Sequence, residues 1–144
     1  MKSKLINQRT DETTYVLIFD AGDEAVAGLA SFAKENRLGA SHFTGIGGFE
    51  SATLGYFEIE KKNYKEIPIS EQVEVLSLVG DIALQKGKPK VHVHTVVGTC
   101  EGLARGGHLL AAIVRPTLEI IITESPKHLH REFDDTTGLA LIRL

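Results

Sequence analysis

The stretch VEVLSLVGDIALQKGKPKVHVHTVVG (73–98) decides the fold, because two alternating apolar runs flank a polar, lysine-rich segment. Alternation with a period of two is typical of β-strands, so the pattern predicts strands over 73–84 and 90–99. Gly80 interrupts the first run and predicts a bulge or bend at that point. The segment KGKPK (86–90) is interpreted as a turn whose lysines are solvated.

The residues before this stretch predict one strand and one helix. TYVLIF (14–19) has the apolar, β-favouring content of a buried strand. In DAGDEAVAGLASFAKENRLG (20–39) the apolar residues follow helical spacing. Asp20 or Asp23 is expected to cap the helix N-terminus, and Gly39 marks its end. This is the one principal helix that the sequence predicts.

Further strands are expected along the rest of the chain, separated by glycine, proline or polar breaks. They are 41–46, 51–59, 64–69, 109–114, 118–123 and 138–142. A strand, a helix and then many strands with short turns indicate the α+β class, with a mainly antiparallel sheet and the helix packed on it. We expect a single domain over 14–144, preceded by an N-terminal tail (1–13) with no predicted secondary structure.

The composition excludes several classes of protein. Of the 144 residues 42% are apolar and 24% are charged, which fits one domain with a hydrophobic core. No apolar run has the length of a membrane span. The single cysteine, Cys100, permits no internal disulfide, so a reducing, cytoplasmic location is expected. A formal net charge of −3 counts against a nucleic-acid partner, which requires a concentrated basic surface.

The spacing of three histidines is the clearest indication of chemistry. His92 and His94 lie on one face of the predicted strand, with attachment points about 6.6 Å apart. A chain reversal at Gly106-Gly107 would bring His108 to the same place as a third metal ligand. Three imidazoles would leave one coordination position open, as in catalytic zinc sites. The alternative is that a histidine pair two residues apart is a coincidence of surface or core packing.

Other candidate residues give weaker signals. A small anionic ligand could be bound by Arg105, by the flexible backbone of Gly106 and Gly107, and by His42. The second histidine pair, in HLH (128–130), lies in a polar stretch and is interpreted as solvated. No general base stands out, so the residues leave open whether the chain catalyses a reaction.

Several runs together resemble a known family, the plant and prokaryote conserved (PPC) domain. The runs are FTGIGGFESATLGYF (43–57), EVLSLVGDIAL (74–84), HVHTVVGT (92–99), GGHLLAAIV (106–114) and LEIIITE (118–124). Their order and spacing extend the resemblance over about residues 14–143. The resemblance implies a mixed sheet with a helix, assembled as a homotrimer.

The resemblance also implies roles for particular residues and partners. Stand-alone prokaryotic members imply His92, His94 and His108 as metal ligands, with zinc the expected ion and other divalent transition metals as alternatives. The site would lie near a subunit boundary. Plant members imply a second function, DNA binding or transcriptional regulation, through an AT-hook with an Arg-Gly-Arg-Pro core. This chain has no such run, which disfavours DNA as its partner.

Overall fold

The computed structural model describes residues 1–144 as nine β-strands and one α-helix. The helix is α1 (Ala25–Glu35). The strands are β1 (Lys2–Gln8), β2 (Thr13–Asp20), β3 (Ala40–Glu58), β4 (Asn63–Ile69), β5 (Val73–Gln85), β6 (Lys88–Gly98), β7 (Ala104–Glu124), β8 (His130–Asp134) and β9 (Leu139–Arg143). No helix has the length and apolar content needed to cross a membrane.

All strand pairs are antiparallel except β5 with β8, so the predicted α+β class and mainly antiparallel sheet are confirmed. Four strands also form a closed ring of pairings: β3 pairs with β5 and β7, and β6 pairs with β5 and β7. The ring is possible because β7 is long enough to pair with β6 at its start and with β3 and β2 further along. The sequence did not predict this closure.

The hydrophobic core lies between the helix and the inner face of the ring. Residues Leu29 and Phe32 of α1 are buried there, and the helix packs against β6 and β7. Alternation along β6 buries Val93, Thr95 and Val97 and turns His94 and Val96 outward. The inward and outward positions predicted from the alternating pattern are therefore the observed ones on this strand.

The helix N-terminus differs from the prediction. Its cap is Glu24, whose side chain accepts a hydrogen bond from the backbone N–H of Ala27 and a second one from Ala112 on β7. The expected caps, Asp20 and Asp23, lie before the helix, and Asp23 instead accepts a hydrogen bond from the Asp20 backbone. The observed cap is therefore one residue after Asp23, and the second hydrogen bond of its side chain joins the helix to the sheet.

Three other expectations on chain organisation differ from the structure. The expected N-terminal tail forms β1, which pairs with β2. The segments expected as separate strands on either side of Gly47-Gly48, and of Arg115-Pro116, are the continuous strands β3 and β7. Register shifts in the β3–β7 ladder absorb the irregular residues, so neither strand is interrupted.

Gly80 on β5 has no room for a side chain. A Cβ atom there would overlap the ring of Phe43 and the backbone carbonyl oxygen of His92 on β6. Gly80→Ala should therefore lower the free energy of unfolding by about 1–3 kcal/mol, measured by urea denaturation.

Gly98→Ala on β6 is the matched control. Its added methyl would meet only the side chain of Leu76, at 3.3 Å, and no backbone atom or ring. The control should change the free energy of unfolding much less. Equal effects of the two substitutions would contradict the close packing described at Gly80.

Candidate metal centre

The three histidines predicted as ligands come together through strand pairing. His94 on β6 lies directly opposite His108 on β7, and His92 lies directly opposite Asp81 on β5. The turn that reverses the chain between β6 and β7 consists of residues 99–103, not of the predicted Gly106-Gly107, which lie within β7. The long alternating strands therefore place the histidines without a turn at the site.

The nitrogen positions fit a tetrahedral metal ion. One ring nitrogen from each of His92, His94 and His108 lies within 4.8 Å of the others. The Nε2 atoms of His92 and His94 are 3.2 Å apart. Zinc–nitrogen bonds of about 2.0–2.1 Å at a tetrahedral angle require about 3.3–3.4 Å between two ligands. The Nδ1 atom of His108 is buried and has no hydrogen-bond partner. Buried polar atoms usually have a partner, so the orphaned nitrogen is consistent with a ring that binds a metal ion.

A carboxylate and a guanidinium lie directly behind the histidines. Asp81 Oδ2 is 3.4 Å from His92 Nδ1, the ring nitrogen opposite the one that faces His94. Arg131 Nη2 on β8 donates a hydrogen bond of 2.6 Å to Asp81 Oδ1. The Arg131 side chain is only 7% exposed. Carboxylates that receive the second imidazole N–H orient metal-binding histidines. Asp81 is within ion-pair distance of His92 Nδ1, and Arg131 Nη2 is also 3.4 Å from the same nitrogen.

Aromatic stacking fixes the ring of His108. Tyr64 on β4 stacks on it with ring centroids 4.7 Å apart, and His92 stacks on the ring with centroids 5.3 Å apart. His94 meets His108 edge to face. The three imidazoles therefore pack against one another, and His108 also packs against Tyr64.

Burial and mutual repulsion keep the site ready to bind a cation. Desolvation, and then the neighbouring His92, lower the pKa of His94. Desolvation, with His92, His94 and Lys90, lowers the pKa of His108 to about 4. Desolvation would raise the pKa of Asp81, but hydrogen bonds from His92 and Arg131 outweigh it and hold that pKa below its ordinary value. Neutral imidazoles and an ionised carboxylate are the forms that metal binding requires.

Four residues predicted for ligand binding lie outside the histidine cluster. Arg105 and Gly106 are exposed on β7, Gly107 is partly buried beside them, and all three take part in the ladder with β6. His42 is exposed on β3, in the same cross-strand row as Asp81. None of these four residues belongs to the lining of the cavity next to the histidines.

Sequence reasoning missed Asp81, Arg131 and Tyr64. Asp81 carried a usable signal, since it is a lone carboxylate within an apolar strand, immediately after the glycine that marks a close approach. Arg131 follows the exposed histidine pair His128 and His130, and nothing in its neighbourhood distinguishes it from a solvated arginine. Its role depends on the parallel pairing of β8 with β5, which local patterns do not predict.

Comparison with known proteins agrees with this fold. The family model of the Plants and Prokaryotes Conserved (PCC) domain matches residues 6–126, and the chain belongs to this family, also written PPC. No curated protein matches the chain.

Solved structures of similar proteins span almost the whole chain. A plant- and prokaryote-conserved protein from Pyrococcus horikoshii is 32% identical, with a TM-score of 0.85, covering 99% of this chain and 95% of its own. A metal-containing protein from Archaeoglobus fulgidus is 31% identical, with a TM-score of 0.84, covering 100% and 99%. A candidate DNA-binding protein from Bacteroides thetaiotaomicron is 25% identical, with a TM-score of 0.87, covering 98% and 96%.

The pKa of His108 makes the stability of the metal-free protein depend on pH. Its folded value is about 4 against an ordinary value of 6.5, so the unfolded chain takes up this proton first as the pH falls. Acidification from 6.5 towards 4 should therefore lower the free energy of unfolding. His108→Gln removes this proton uptake and should flatten the profile, measured by urea denaturation in the presence of a chelator. Parallel profiles for the two proteins would contradict the assignment.

Proposed function

We propose that the chain is a zinc-binding domain that holds its ion with His92, His94 and His108 and binds a small anionic ligand at the open position. The observation that carries this proposal is the clustering of three imidazole nitrogens within 4.8 Å, with Asp81 behind His92. A cluster of exposed histidines formed by chance would have neither the carboxylate nor the buried arginine that holds it.

The donor set supports zinc as the ion. Three neutral imidazoles satisfy zinc, and the 3.2 Å between two Nε2 atoms suits its tetrahedral geometry. A zinc ion held by three histidines acts as a Lewis acid with one open coordination position. The Archaeoglobus fulgidus relative is described as a metal-containing protein, which is consistent with a metal in this one. Asp81 and Tyr64 lie against the ligands and orient them, and desolvation lowers the pKa of His94 and of His108.

Elemental analysis of purified, tag-free protein tests the metal site. The wild-type chain should contain about one zinc ion, and the His92→Ala/His94→Ala variant should contain none, because two of three ligands are lost. The chain offers a matched control in its second His-x-His pair. His128→Ala/His130→Ala removes two exposed histidines outside the cluster and should leave the zinc content unchanged.

Asp81→Asn gives a graded version of the same test. It keeps all three ligands but removes the charge behind His92, so the zinc affinity should fall about 10–100-fold in a competition titration against a chelating dye. Zinc lost equally from both double variants, or unchanged affinity in Asp81→Asn, would oppose the proposed site.

The assembly that we propose is a homotrimer formed through an apolar face of the sheet. Five apolar side chains are exposed on the outer face, and we call them the outer apolar face: Ile46, Leu76, Val79, Val96 and Ile121. Contiguous exposed apolar surface is typical of interfaces. Val79 lies directly opposite His94, so the metal centre adjoins this face and a neighbouring copy would cover its edge.

Charges placed on the outer apolar face should prevent assembly. Ile46 and Ile121 are 62% and 52% exposed in the single chain, so aspartate at both positions leaves the core intact. Sedimentation equilibrium should give three chains of 15.7 kDa for the wild type and one chain for Ile46→Asp/Ile121→Asp. Phe133→Asp, which changes an equally exposed side chain on β8, should remain trimeric. A wild-type monomer would disprove this assembly.

DNA binding is the alternative function. The description of the Bacteroides thetaiotaomicron relative as a candidate DNA-binding protein is the observation that favours it. The net charge of −3 and the apolar character of the exposed sheet face oppose it, because affinity for DNA depends on neutralising phosphates with clustered lysines and arginines.

A further inference from the structure

A cavity of about 340 Å³ opens beside the metal centre. The ladder between β6 and β7 ends at the pair His94 and His108, and beyond it the two strands separate. Val26 of α1 and the strand β9 border the gap that results. A volume of this size falls in the range of pockets that bind small molecules.

The lining of this cavity is apolar except at one end. Its apolar members include Leu110, Leu139 and Leu141, and its polar members include His92, His108 and Arg131. No acidic side chain lines it. The cavity therefore combines an apolar wall with a polar end that includes two of the three histidines and carries positive charge.

The hairpin of β8 and β9 supplies both kinds of surface. It contributes Leu139 and Leu141 to the apolar wall and Arg131 to the polar end. The hairpin lies beyond residue 126, where the match to the family model stops. A two-residue parallel pairing, the buried Arg131 and a hydrogen bond from Lys62 Nζ to the backbone carbonyl oxygen of Asp135 join it to the rest of the protein. One wall of the cavity is therefore formed by the β8–β9 hairpin, whereas the histidines lie on β6 and β7.

We propose that this cavity binds a small aliphatic monocarboxylic acid, an inference that rests on the metal centre proposed above. The carboxylate faces the ion at His92 and His108, and the alkyl tail lies against Leu139 and Leu141. A phosphate is a poorer fit, because Arg131 is already engaged by Asp81 and the cavity offers no second guanidinium to clamp three oxygens.

The chain length of the ligand should set its affinity. Isothermal titration calorimetry of zinc-loaded wild-type protein with acetate, butyrate and hexanoate should show the dissociation constant falling about fourfold for each methylene group buried. The larger side chain of Leu141→Trp would fill the space beside the apolar wall. It should weaken hexanoate binding tenfold or more and leave acetate binding unchanged. Ile142→Trp is the matched control, since the neighbouring residue is outside the lining, and should bind hexanoate as the wild type does.

The outcomes separate this inference from the proposed function. Elemental analysis of the same samples reports on the metal centre alone. If the protein contains zinc but binds all three acids with equal affinity, the pocket inference is overturned and the metal centre is not. The wild-type series decides this even if Leu141→Trp fails to fold. Absence of zinc from the wild type would overturn the metal centre, and this inference with it.

Discussion

Pairing of β6 with both β5 and β7 is the constraint on which the rest of the structure depends. It closes the ring of four strands, encloses Val93 and Val97 in the core, and sets His94 directly opposite His108. Because side chains alternate along a strand, the same register that buries Val93 also directs His92 and His94, on either side of it, outward. Slippage of β6 by one residue would place the histidines in the core and the valines in solvent. The fold and the candidate site are therefore specified by the same ladder.

Electrostatics then give this arrangement its chemical character. Desolvation and the neighbouring His92 lower the pKa of His94, and desolvation with the neighbouring His92, His94 and Lys90 lowers the pKa of His108 to about 4. Desolvation would raise the pKa of Asp81, but hydrogen bonds from His92 and Arg131 outweigh it, so the carboxylate stays ionised beside the histidines. A dication is the species that this combination of neutral donors and one adjacent carboxylate favours.

The sequence predicted the parts of this account that depend on local pattern. Alternation predicted β5 and β6, and the spacing of His92 and His94 predicted their shared face. Closure of the ring was not predictable, because it depends on one long strand pairing with different partners along its length. The ion pair of Arg131 was missed for a similar reason, because it depends on Asp81, a partner distant in the chain. The cap at Glu24 is a local bond to Ala27, and only its second bond, to Ala112, depends on a distant strand. Ligand binding by Arg105, Gly106, Gly107 and His42 stays a prediction, and all four residues lie outside the lining of the cavity.

X-ray absorption at the zinc edge tests the central claim most directly, because it reports the ligands of the ion itself. For zinc-loaded wild-type protein, the account predicts three imidazole nitrogens at about 2.0–2.1 Å with one further light atom in a four-coordinate shell. A six-coordinate oxygen shell, or a spectrum with one imidazole or none, would contradict it and show that the three clustered histidines are not the ligands of the metal.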